Sequence, residues 1–154
     1  MNIVYLGSSE FGLPSLDALK QSDNDLNFIV TQPSRPAGRG KKLTLTPVAR
    51  WARENSVEYI EAKNVNKPEI VEQIKAHKPD LLVVIAFGQK ISQAVIDTAK
   101  HKAINVHSSL LPKLRGAAPI NWAIINGFTH TGITIITLAE KMDAGEMLGK
   151  AETA

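Results

Sequence analysis

Short apolar, β-branched runs alternate along this chain with stretches whose apolar residues recur at helical spacing. Residues 2–7 read Asn-Ile-Val-Tyr-Leu-Gly, a first strand ending in a glycine. Leu13, Leu16 and Leu19 predict a helix over 13–21. Further strands are expected at 27–30 and 57–60. Pro47 needs no amide hydrogen in a first helical turn, and Val48, Trp51 and Ala52 then share one face of the helix it opens. Ile70, Val71 and Ile74 give a helix over 67–77 its buried stripe. Residues 80–87 contain Leu-Leu-Val-Val-Ile-Ala, an unbroken apolar run of the kind found in strands covered on both faces. A helix over 91–100, a strand over 103–107, a helix over 116–126 and a β-branched strand over 132–138 complete the pattern.

Strand and helix in alternation predict an α/β fold, a doubly wound, mostly parallel, Rossmann-like sheet with helices on both faces. At 154 residues the chain has room for one domain with a real core. No closing element is evident after Met147 and Leu148, so this domain, residues 1–154, is expected to be incomplete at its C-terminus.

Composition narrows the chemistry. There is no cysteine, which excludes disulfides, iron–sulfur clusters and zinc–thiolate sites. No apolar run approaches the roughly 18–20 residues of a membrane span, and the N-terminus lacks a cationic leader, so a cytoplasmic protein is expected. Hydrophobic residues make up 44% and the net charge is only +3, but the charge is unevenly spread. Between Gln32 and Arg53 lie six cations and no acidic residue. Four of them, Arg35, Arg39, Lys41 and Lys42, share a stretch with Pro33, Pro36, Gly38 and Gly40, which argues against regular structure there. Such a loop is by default a solvated one. The turn Gly7-Ser8-Ser9-Glu10-Phe11-Gly12 has the outer glycines of a dinucleotide fingerprint but not the middle one, and Glu10 would repel a pyrophosphate. A tight strand-to-helix turn explains it better. His77, His101 and His130 have no partner at metal-ligand spacing, and no metal site is expected.

Asn105 and His107 stand two apart on the strand over 103–107 and so point to one face, near the carboxyl end where open α/β sheets hold their ligands. On spacing alone, a histidine that merely ends a strand explains the pair equally well. Asp143, in the turn Lys141-Met142-Asp143-Ala144-Gly145-Glu146, falls at the end of what should be the neighbouring strand. An amide, an imidazole and a carboxylate converging at one sheet edge would form a polar catalytic set.

The segment Asn105-x-His107-x-Ser109-Leu110-Leu111-Pro112-x-x-Arg115-Gly116 closely resembles the signature of the N10-formyltetrahydrofolate-dependent formyltransferases. Gly132-Ile133-Thr134 through Met142-Asp143-Ala144-Gly145 resembles the second motif of that family, and the likeness covers essentially the whole chain. The opening Val4-Tyr5-Leu6-Gly7-Ser8-Ser9-Glu10-Phe11 and the loop from Thr31 to Leu43 are most similar to members that act on methionyl-tRNA.

The resemblance implies transfer of a formyl group from 10-formyltetrahydrofolate to the α-amine of methionyl-initiator tRNA, with Asn105, His107 and Asp143 as catalytic residues and no metal. It implies folate contacts at Ser109, Leu110, Leu111 and Pro112, and at Phe87, Gly88 and Gln89. Arg35, Arg39, Lys41 and Lys42 would meet the acceptor end of the tRNA, where Arg and Lys pair with phosphates. Full-length members of this kind carry a C-terminal β-barrel that helps hold tRNA, which the sequence does not contain; a monomer is expected. Two alternatives remain at this point: a small-molecule formyltransferase acting on glycinamide ribonucleotide or a sugar nucleotide, and a non-catalytic folate- or RNA-binding remnant. Neutralising Arg35, Arg39, Lys41 and Lys42 together is predicted to raise the KM for tRNA and flatten its salt dependence, measured as formylation rate against tRNA concentration at several ionic strengths. An unchanged salt slope removes the loop from the tRNA interface.

Overall fold

The computed structural model describes residues 1–37, 40, 42–139 and 143–154. The chain divides into two compact units, Met1–Ala103 and Ile104–Ala154.

In the first unit, β1 (Asn2–Gly7) lies between β2 (Asp25–Thr31) and β6 (Leu81–Ile85), with β5 (Tyr59–Glu61) beyond β2. Every pair is parallel, with Leu6 opposite Val30 and Gly7 opposite Ile85. Because β1 is paired on both sides and covered, its side chains from Ile3 to Leu6 are all buried, and the polar alternation of an exposed strand is absent. The helices α1 (Leu13–Gln21), α2 (Pro47–Glu54) and α3 (Pro68–Ala76) start as expected, each with a proline in its first turn. Thr46 caps α2 by accepting a hydrogen bond from the Ala49 amide at 3.0 Å. Leu16, Val48, Ala52 and Ile74 carry these helices into the core, whereas Ile70 and Val71 are only half-buried.

Two expectations for this unit are corrected. The helix over 91–100 is reduced to α4 (Gln93–Ile96). The Thr98 hydroxyl donates to the Val95 carbonyl at 2.6 Å, the Thr98 and Ala99 amides turn back to carbonyls three residues earlier, and those of Lys100 and His101 go to Pro79 and Asp80, so the α-helical ladder does not continue. The proline-rich basic stretch is not irregular throughout: β3 (Arg35–Ala37) and β4 (Lys42–Thr44) form an antiparallel ribbon, with Pro36 opposite Leu43. A two-stranded ribbon consists only of edges, where a residue without an amide hydrogen is tolerated. Gly38, Arg39 and Lys41 lie outside the described residues, as do Glu140, Lys141 and Met142.

The glycines of the first turn have a specific steric role. A Cβ on Gly12 would fall on the Tyr5 phenol oxygen, and one on Gly7 would meet the same ring. The glycine spacing that resembles a nucleotide fingerprint therefore makes room for the chain's own tyrosine. The Tyr5 hydroxyl is buried without a hydrogen-bond partner among the described residues, and burial pushes the phenol well above its ordinary pKa.

In the second unit, β8 (Thr131–Thr137) pairs antiparallel with both β7 (Ala103–His107) and β9 (Met147–Thr153). Gly132, Thr134 and Ile136 alternate inward along β8. β9 was not foreseen: its residues are almost all exposed, so it carries no periodic apolar signal. The helix expected over 116–126 begins only at α5 (Pro119–Ile125), because Gly116 and Ala118 take left-handed backbone angles, φ 94° and 55°.

Gly12→Ala is predicted to lower stability in urea denaturation by about 1–3 kcal/mol through overpacking against Tyr5. Tyr5→Phe removes an unpartnered buried hydroxyl, so it should cost little alone and recover most of that loss in the double variant. Strict additivity would show that the two side chains do not meet.

Candidate active site

Asn105 and His107 project from one face of β7, opposite Ile136 and Thr134 of β8. His107 is the last residue of its strand and is buried, while Asn105 is half-buried. The Asn105 carboxamide makes no hydrogen bond among the described residues, which leaves it free to donate to a ligand.

After His107 the chain folds into a loop held mainly by Thr134. The Thr134 hydroxyl donates to the Ser109 carbonyl at 2.7 Å and accepts from the Leu111 amide at 3.0 Å. Ser109 donates its own hydroxyl to the Lys113 carbonyl at 2.7 Å, and the Lys150 ammonium reaches the Leu111 carbonyl at 2.6 Å. The loop then turns through Leu114 and Gly116, with φ of 55° and 94°. This path brings the Leu114 carbonyl to 2.9 Å from His107 Nε2. A carbonyl oxygen can only accept, so Nε2 must carry the hydrogen.

The other ring nitrogen, Nδ1, lies 3.6 Å from Asp143 Oδ2, with the two side chains only 7% and 11% exposed. Asp143 itself has φ 49°, a left-handed conformation that Asp tolerates better than most residues, and its Oδ2 accepts the Gly116 amide at 2.8 Å. One carboxylate oxygen, Oδ2, thus takes the backbone donor and also faces the imidazole. When the ring is protonated, Nε2–H is bonded to the Leu114 carbonyl and Nδ1–H faces the Asp143 carboxylate across 3.6 Å.

The structure brings Asn105, His107 and Asp143, the three expected catalytic residues, into this second unit. Of the expected folate contacts there, Ser109 spends its hydroxyl within the loop and Leu111 is buried. Leu110 and Pro112 border an open cavity of about 480 Å³ that also touches Phe128, His130 and Glu152 and contains none of the catalytic three. In the first unit, Phe87 is buried, and Ala86 and Gly88 have φ of 45° and 77°. Gln89 uses both ends of its amide on backbone, donating to the Ala62 carbonyl at 2.7 Å and accepting from the Val65 amide at 2.8 Å. The guanidinium of Arg35 donates to Gln32, and Lys42 is exposed on β4. Arg39 and Lys41 fall among the residues not described. Gly116 and Thr134 lie within the two motifs that carry the resemblance and Gln32 within the loop from Thr31 to Leu43, but none was given a role; a threonine in a strand, a loop glycine and a glutamine before a proline do not by themselves reveal one. No group of three or more His, Asp and Glu able to hold a metal occurs among the described residues.

The family model described as formyl transferase matches residues 1–154. A methionyl-tRNA formyltransferase from Acetivibrio thermocellus is 48% identical over 99% of this chain, and one from Geobacter metallireducens is 45% identical over 97%. The chain spans about half the length of these curated relatives, 49% and 48%. Among solved structures, phosphoribosylglycinamide formyltransferase from Bacillus halodurans superimposes with a TM-score of 0.79, covering all of this chain and 80% of that one at 19% identity. A formyltetrahydrofolate deformylase from Pseudomonas syringae gives 0.76 over 99% of this chain and 50% of its own, at 18% identity. At such identity these likenesses show the fold: a mostly parallel sheet with helices. The chain belongs to the formyl transferase family.

Thr134→Val keeps the side-chain shape and removes the hydroxyl that serves two buried backbone groups. It is predicted to cost about 1–3 kcal/mol in urea denaturation, since the Ser109 carbonyl and Leu111 amide lose their partner. A variant as stable as the unsubstituted protein would show that the hydroxyl does not hold the loop.

Proposed function

We propose that this chain carries the formyl-transfer centre of an enzyme that moves the formyl group of 10-formyltetrahydrofolate to the α-amine of methionyl-initiator tRNA. The observation that supports it best is the pairing of His107 with a backbone-anchored Asp143, on the strand that also carries Asn105, whose amide has no hydrogen-bond partner among the described residues. The family membership and the names of the relatives favour this acceptor over a small molecule.

The amine, as the free base, attacks the formyl carbon. A carbon–nitrogen bond forms, the formyl oxygen gains negative charge in a tetrahedral intermediate, and the bond to the folate nitrogen breaks as the amine's proton passes to it. Asn105 can donate its NH₂ to the developing oxyanion. His107 can do so through Nε2–H by exchanging the Leu114 carbonyl for the substrate oxygen; catalytic hydrogen bonds commonly tighten onto substrate in this way. Asp143, held by the Gly116 amide, keeps the imidazole oriented and balances its charge when protonated. Holding both reactants side by side contributes on the order of 7–11 kcal/mol through effective molarity.

The residues present suit a folate: apolar side chains for the faces of a pterin, and backbone groups for its edge of donors and acceptors. We assign these contacts to Ser109, Leu110, Leu111 and Pro112, and to Phe87, Gly88 and Gln89. Arg35, Arg39, Lys41 and Lys42 are assigned to the tRNA. No described helix is long and apolar enough to cross a membrane, and the proposed acceptor places the reaction in the cytoplasm.

His107→Ala and Asp143→Asn are each predicted to lower the rate of formyl transfer by roughly 10²–10⁴-fold, in an assay offering methionyl-tRNA and glycinamide ribonucleotide as competing acceptors. Near-normal rates in both variants refute the site, and preference for the ribonucleotide refutes the acceptor. Isothermal titration with a folate analogue tests donor binding independently of turnover.

A further inference from the structure

We infer that Gln32 is a positioning residue that ties the basic ribbon to the segment at residues 87–89, so that tRNA and folate are bound interdependently; the inference rests on the function proposed above. Gln32 follows β2 and precedes the ribbon. Its backbone amide donates to Ser8 Oγ at 3.0 Å, and its side-chain Nε2 donates to the Phe87 carbonyl at 2.7 Å. Its Oε1 accepts from the Arg35 guanidinium. Phe87 accepts a second, longer bond from Ser8 Oγ at 3.4 Å. The partners fix the orientation of the carboxamide, since a carbonyl cannot donate and a guanidinium cannot accept.

The backbone beside it is shaped to admit this side chain. Gly88 has φ 77°, and a Cβ there would fall on Gln32 Nε2. A side chain in that space would push Gln32 off the Phe87 carbonyl. The base of the ribbon is also anchored by Glu61, which accepts from the Ser34 amide at 2.7 Å and the Ser34 hydroxyl at 2.8 Å. Glu61 holds the ribbon to the end of β5, whereas Gln32 holds it to the segment assigned to folate. A shift of Arg35 toward a phosphate therefore pulls on the hydrogen bond that sets the Phe87 carbonyl.

The inference depends on an amide having one donor end and one acceptor end, and two substitutions separate them. Gln32→Met keeps the length and loses both bonds. Gln32→Glu keeps oxygens for Arg35 and turns an acceptor toward the Phe87 carbonyl. Gln32 is only half-buried, so both variants are placed to fold.

The tests are filter binding of methionyl-tRNA, isothermal titration with a folate analogue, and hydrogen exchange over residues 86–91, all on the full chain. Gln32→Met is expected to weaken both ligands by roughly tenfold, the scale of a lost hydrogen bond to a charged or buried partner. Gln32→Glu is expected to weaken the analogue to the same degree while keeping tRNA within about threefold of the unsubstituted protein, with faster exchange over 86–91 in both variants. Equal loss of tRNA in the two variants overturns the inference, as does unchanged analogue binding and exchange in both. If the unsubstituted protein does not bind the analogue, the folate assignment fails and the inference with it. If it binds and both variants bind equally well, only the role of Gln32 is lost.

Discussion

The Asp143 carboxylate, with a side chain only 11% exposed, needs hydrogen-bond donors close at hand. The Gly116 backbone amide supplies one to Oδ2, and His107 Nδ1 faces the same oxygen at 3.6 Å. Much of the second unit follows from that requirement. Gly116 delivers its amide only because the loop adopts left-handed angles at Leu114 and Gly116, and the same turn sends the Leu114 carbonyl to His107 Nε2. The loop can take that shape because Thr134 satisfies the Ser109 carbonyl and the Leu111 amide from the neighbouring strand. Histidine, carboxylate and loop are thus one hydrogen-bonded assembly, in which each part loses its partner if another moves.

The first unit meets a different constraint. Its parallel strands end in a set of backbone groups that no further strand pairs, and short polar side chains take them up. Ser8, Thr31, Gln32 and Thr46 link to one another and to the Phe87 carbonyl, while Gln89 closes onto Ala62 and Val65. The basic ribbon grows from this network through Gln32 and Ser34. The surface of the second unit is less complete: Ile124 and Ile125 on α5 are 74% and 68% exposed, and the outer strand β9 is largely uncovered. The contrast matches the different signals the two halves give. Burial on both faces writes itself as unbroken apolar runs, and exposure leaves little to read.

That difference explains how far the sequence could be followed. β1 and β6 were evident because a strand covered on both faces cannot afford polar positions, and α2 because Pro47 opens it and Val48, Trp51 and Ala52 share its inner face. The shortening of α4 depends on one hydroxyl, that of Thr98, competing for a carbonyl, which periodicity does not register. β9 escaped notice because its pairing with β8 is made by backbone, with few buried side chains to mark it. At the site, Asn105 and His107 were visible as a polar pair on one strand face; Asp143, 36 residues on, was placed beside them by its position in a turn after the neighbouring strand, and the family resemblance supplied the roles. Thr134, Gly116 and Gln32 act through a few hydrogen bonds between distant parts of the chain, so only the folded chain shows what they do.

The central claim is that His107 sits between a carbonyl acceptor and a carboxylate in a fixed orientation. Nitrogen-15 NMR of the selectively labelled imidazole tests it most directly, because the two ring nitrogens report which one carries hydrogen in the neutral form. The account predicts hydrogen on Nε2, bonded to the Leu114 carbonyl, with Nδ1 bare toward Asp143. A neutral ring with hydrogen on Nδ1 and a bare Nε2 would contradict it, since the Leu114 carbonyl would then face a lone pair and the arrangement described could not hold.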